Sequence, residues 1–127
     1  MARALQGLVA LFGLVCVGIA LAHILIGPSA IPGSIPVNAT MDSEDRFYAT
    51  LFLGFGAAHL WCARDLADRG QILLALQAVF FLGGVARLLS WAQVGPPIPL
   101  FVFLGVLELL IPPLLWLWLR RVYPPVM

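Results

Sequence analysis

The chain has 127 residues, of which 62 % are hydrophobic and only 10 % charged, where a soluble domain carries about 25 % charged residues. Seven arginines, with no lysine, stand against six acidic residues for a net charge of +1, which leaves neither the basic footprint of a nucleic-acid binder nor an acidic partner-binding tail. So few charges cannot cover a water-facing surface, so lipid is the expected solvent and the chain, residues 1–127, is expected to form a single transmembrane domain.

Roughly 20 apolar residues in helix cross a hydrocarbon core about 30 Å thick, and four segments qualify as spans. The first helix is expected over about residues 5–27, with no formal charge in it. Ala20-Leu21-Ala22 matches a small-x-small cleavage site. The apolar run continues through Ile24-Leu25-Ile26, longer than a signal-peptide core, which favours an uncleaved helix and leaves cleavage after Ala22 as the alternative. Gly27-Pro28, Pro32-Gly33 and Pro36 then mark an irregular outer loop, expected over residues 28–45. Within it Asn38-Ala39-Thr40 matches a glycosylation sequon.

The second helix is expected over about 46–69, the third over 71–92 and the fourth over 98–121. Between the second and third, Arg64 to Arg69 reads as a charged helix end with i,i+4 pairs, and Gly70 as its cap. Gly95-Pro96-Pro97 breaks the chain again, and Pro99 suits the first turn of the last helix. Backbone polar groups cannot be left unpaired in lipid, so the fold class expected is all-α, an integral membrane four-helix bundle. Arg3, Arg64, Arg69, Arg120 and Arg121 fall on one side of such a bundle, and Asp42, Glu44, Asp45 and Arg46 on the other. The positive-inside rule then puts both termini in the cytoplasm.

Ionisable residues inside a span are costly and need a partner or a purpose. Arg87 interrupts the third helix about 24 Å from its inner end, and Glu108 interrupts the fourth about 14 Å from its outer end. Their depths overlap in the outer half, so an Arg87–Glu108 ion pair is expected, with Ser90 on the same face as Arg87. Pro112-Pro113 follow Glu108 and remove the backbone donors its carbonyl and that of Leu109 would otherwise receive. Glu44, Arg46 and Tyr48 at the entrance of the second helix, and His23 near the end of the first, complete a candidate polar pocket. A purely structural latch is the competing reading of the same pair. His59 and Cys62 offer half a metal site, too few ligands to expect a metal. Gly54 and Gly56, with Gly83-Gly84, are expected to mark close helix contacts. Trp61, Trp91, Trp116, Trp118 and Tyr123 lie near span ends, as an aromatic belt does.

Three blocks, Asp42-Ser43-Glu44-Asp45-Arg46-Phe47-Tyr48-Ala49, Gly83-Gly84-Val85-Ala86-Arg87-Leu88-Leu89-Ser90 and Val106-Leu107-Glu108-Leu109-Leu110-Ile111-Pro112, carry a resemblance over nearly the whole chain. They resemble a bacterial family of small four-helix membrane proteins that bears only a domain-of-unknown-function label and is similar in architecture to DoxX-like proteins. The layout is also similar to a small membrane scaffold of sterol biosynthesis, at the level of architecture. The resemblance implies Glu44, Arg46, Tyr48, Arg87, Ser90 and Glu108 at the family's polar positions, a place in the bacterial inner membrane, and no established reaction.

The expected function is that of a small membrane protein whose outer-half polar pocket binds a lipid-like or quinone-like molecule, or which scaffolds membrane enzymes. The alternative is a membrane-embedded acid/base enzyme of isomerase type on a lipid-like substrate, with Glu108 or Glu44 transferring protons and Arg87 stabilising negative charge. Expected partners are membrane lipid, a lipid-like ligand or a membrane enzyme, and a second copy of the chain in a homo-oligomer, with nucleic acid excluded. The cofactor, if there is one, is unknown from the sequence.

Overall fold

A computed structural model describes residues 2–124. Among them are four α-helices and no strand: α1 (Ala2–Ile26), a short 3₁₀ turn (Gly27–Ala30), α2 (Ala39–Ala63), α3 (Leu66–Val94) and α4 (Pro99–Val122). The chain divides into two compact units, one formed by Gln6–Arg64 and the other by Asp65–Met127 with Met1–Leu5.

In the first unit α1 and α2 lie antiparallel along nearly their whole lengths. Gln6 Nε2 donates to the Ala63 carbonyl at 3.1 Å at one end, and Arg46 donates to the Ile24 carbonyl at 2.7 Å at the other. Midway the backbones all but touch. A Cβ placed on Gly13 would lie 2.8 Å from the Gly56 carbonyl oxygen, and one on Gly56 would lie 2.9 Å from Cys16 Cβ, Gly13 O and Val17 N. Small residues permit this approach, which in lipid supplies the packing that water expulsion supplies elsewhere. Beside that contact Phe12 and Phe55 bracket the buried His59 ring at 4.7 Å and 4.6 Å, and His59 Nδ1 donates to the Phe55 carbonyl at 2.8 Å. Gly54, which shares the expectation of a close contact, has open space where its side chain would be.

The second unit contains the α3–α4 hairpin. Gly84 makes its close contact: a Cβ there would meet Leu109 at 3.0 Å and Glu108 Cβ at 3.1 Å. Gly83 faces open space. Successive residues on a helix are turned by about 100°, so only one of an adjacent glycine pair can face the partner helix.

Two helix boundaries depart from expectation, each because of a cap. The second helix starts at Ala39 rather than 46, since Asn38 Oδ1 accepts the Met41 amide at 2.9 Å and Asp42 sits in the favourable first turn. That shortens the irregular connection after α1. The second and third helices meet at Arg64–Asp65 rather than at Gly70: Asp65 Oδ1 accepts the Asp68 amide at 3.2 Å and starts α3, within which Gly70 is buried. Each such cap is worth about 1 kcal/mol.

Four spanning segments are expected from the sequence; among the described residues three helices are long and apolar enough to cross a membrane by their own composition, α1 with its 3₁₀ extension (Ala2–Ala30), α3 and α4. In α2 the first two turns carry Asp42, Glu44, Asp45 and Arg46. The apolar stretch left, residues 47–63, is only about 26 Å long at helical rise and includes Tyr48, Thr50 and His59.

Candidate functional site

The expected polar residues gather in two places, one in each unit. In the first unit they form a brace where α1 ends. Arg46 Nε donates to Asp42 Oδ1 at 2.7 Å, one helical turn back. Its Nη1 donates to the carbonyls of Ile24 at 2.7 Å and Leu25 at 3.3 Å, so a cation caps the negative end of α1. Its hydrogen bond to Asp42 pushes the Arg46 pKa above its already high ordinary value. His23 Nδ1 lies 2.9 Å and 3.1 Å from the two carboxylate oxygens of Asp45. Gly27 turns the chain away with φ of +68°, and a Cβ there would stand 2.6 Å from Asp42 Oδ2, so conformation and space both call for glycine.

The brace uses His23 and Arg46 but not the other two expected members. Glu44 is exposed and in no ion pair among the described residues, and Tyr48 is 61 % exposed with its ring against neighbouring Phe47 at 5.6 Å. Asp42 and Asp45, the carboxylates that do the pairing, are not among the expected pocket residues. Their signal lay in spacing: Asp42 and Arg46 are four apart, but become helical neighbours only once α2 begins at Ala39.

In the second unit Arg87 Nε donates to Glu108 Oε1 at 2.6 Å. Helical rise puts Arg87 about 10 Å from the Val94 end of α3 and Glu108 about 14 Å from the Pro99 start of α4. Two glycines make the contact possible. Gly84, one turn before Arg87, brings the helices together, and Gly105, one turn before Glu108, lets the Arg87 stem lie across α4, with Arg87 Cδ only 3.5 Å from where its Cβ would be. Pro112 is buried one turn after Glu108 and has no amide hydrogen to give the Glu108 carbonyl.

The two partners are unequally covered, with 11 % of the Glu108 side chain exposed and 42 % of that of Arg87. Among the described residues the terminal nitrogens of Arg87 have no hydrogen-bond acceptor, and the guanidinium carbon stands 5.7 Å from the centre of the Phe101 ring. A groove of about 70 Å³ opens beside it, lined by Gly84, Trp91, Phe101, Val102 and Gly105 among others. Trp91, expected as belt alone, thus also borders the groove, and Phe101 adds a ring face that carries no separate signal in the sequence. Ser90 is exposed and makes no hydrogen bond among the described residues.

These features define a small helical membrane protein with a charge pair inside an apolar hairpin. The chain belongs to the family described as a domain of unknown function (DUF4345), which matches residues 4–119. No curated protein and no solved structure matches it.

Proposed function

We propose that the protein is an integral membrane protein of the bacterial inner membrane that binds an amphiphile in the α3–α4 groove, the polar head accepting hydrogen bonds from Arg87. The observation that carries this reading is the division of labour at the ion pair. Glu108 consumes one N–H of Arg87, and the remaining donors stand beside an apolar groove with no acceptor among the described residues. A guanidinium offers five donors and is costly in hydrocarbon unless they are used. Glu108 serves as counter-ion rather than as proton carrier, since Arg87 holds its Oε1 and little of its side chain is exposed.

The reading includes four crossings. α2 is too polar at its start to qualify alone, but it runs beside the apolar α1 from Ala63 back to Arg46 and would cross with it. Both termini are then cytoplasmic, as the positive-inside rule requires. The one arginine at the opposite ends of α1 and α2, Arg46, is neutralised by Asp42.

The test is native mass spectrometry of the full chain, taken from its own membrane into a mild detergent. The expected result is a retained amphiphile in the unaltered protein and its loss in Arg87→Gln. The same retained molecules at the same occupancy in both proteins would overturn the reading.

A further inference from the structure

Resting on that reading of the groove, we infer that its occupant is a neutral amphiphile with a flat, carbonyl-bearing ring, a quinone-type head, rather than an anionic lipid.

Charge balance makes the first part of the argument. Arg87 is the one charged residue among those lining the groove, and it is paired at 2.6 Å with Glu108. The site is therefore locally neutral before anything binds. A carbonyl oxygen satisfies the waiting N–H groups of Arg87 with its lone pairs and adds no charge. A carboxylate or phosphate would bring a second negative charge close to Glu108, and that repulsion strengthens as water is excluded.

Shape makes the second part. Trp91 and Phe101 both line the groove, with the Arg87 guanidinium carbon 5.7 Å from the centre of the Phe101 ring, and Gly105 leaves room for the Arg87 stem. Aromatic faces stack on flat rings. At about 70 Å³ the groove is smaller than the roughly 150 Å³ that encloses a benzene molecule. It would therefore hold the carbonyl edge of a ring, and the remainder with its tail would extend into the surrounding lipid.

The experiment is a competition in native mass spectrometry on the full-length protein, with a decyl-substituted benzoquinone, decanoate and monodecanoylglycerol at equal concentration. The quinone is expected to exceed decanoate in occupancy by about tenfold, and Arg87→Gln is expected to abolish its binding. Glu108→Gln leaves the guanidinium uncompensated and is expected to move the ratio toward decanoate. Should Glu108→Gln fail to fold, the unaltered protein and Arg87→Gln decide alone. Arg87-dependent preference for decanoate would overturn the neutral head while the binding reading stands. Monodecanoylglycerol equal to the quinone would overturn the flat ring. Binding of no probe, or binding indifferent to Arg87, would overturn the inference and the reading beneath it together.

Discussion

Replacing Glu108 by leucine while Arg87 remains will lower stability by about 3 kcal/mol, the low end of the cost of stranding one member of a buried ion pair. The low end applies because 42 % of the Arg87 side chain is exposed and can reorient. Arg87→Leu strands the better-covered carboxylate and will cost at least as much. The double variant Arg87→Leu/Glu108→Leu will recover most of the loss, because two apolar side chains between Gly84 and Gly105 leave no charge to solvate in hydrocarbon. Unfolding titrations in sodium dodecyl sulfate on all four proteins give the coupling between the two sites directly. Single variants that each cost less than about 0.5 kcal/mol would mean that the pair contributes nothing to holding α3 on α4.

The second large effect is expected in the other unit. Gly56→Ala will destabilise the α1–α2 hairpin by about 2 kcal/mol, in the range of overpacking, and Gly56→Leu will prevent the hairpin from closing. The added carbon would stand 2.9 Å from Gly13 O and Val17 N, which are backbone atoms of α1 and cannot swing away. Gly54→Ala, two residues earlier, is the control. Its Cβ meets nothing within 4 Å, so helix propensity alone acts and stability rises by up to about 1 kcal/mol. The same denaturation assay, with the distance between labels at residues 6 and 63, reads both results. Equal behaviour of the two alanine variants would contradict the close backbone contact.

What was legible in the sequence divides along a physical line. Helix existence was legible because runs without charges have one use in so apolar a chain, and Arg87 with Glu108 was legible because each stands out against such a run. Rotational phase was not. When the solvent is itself apolar, a lipid-facing leucine and a packed leucine look alike, so periodicity cannot say which face of α2 meets α1. For that reason Gly54 and Gly83 share an expectation that only Gly56 and Gly84 meet. Glu44 and Tyr48 likewise share one with Arg46, although they point elsewhere on α2. Boundaries failed for a different reason, the double meaning of small polar residues. Asn38 reads as a sequon yet caps α2, and Asp65 reads as half of a surface pair yet starts α3. Gly70 has the composition of a helix end, but the Asp65 cap had already begun the next helix five residues earlier.

The brace at the end of α1 bears on how the site in the other unit should be tested. Arg46 resembles Arg87 in charge and in having an acidic partner, but its donors are spent on Asp42 and on the carbonyls of Ile24 and Leu25. It has a structural use for its charge within its own hairpin. Arg87 has one such use, Glu108, and donors left over.

The most direct test of that difference is an experimental density map of the protein in nanodiscs made from its own membrane lipid. The account predicts elongated density whose polar end lies within hydrogen-bond distance, about 3 Å, of the terminal nitrogens of Arg87 between Trp91 and Phe101. A groove closed by side chains, with those nitrogens bound to protein acceptors, would contradict it.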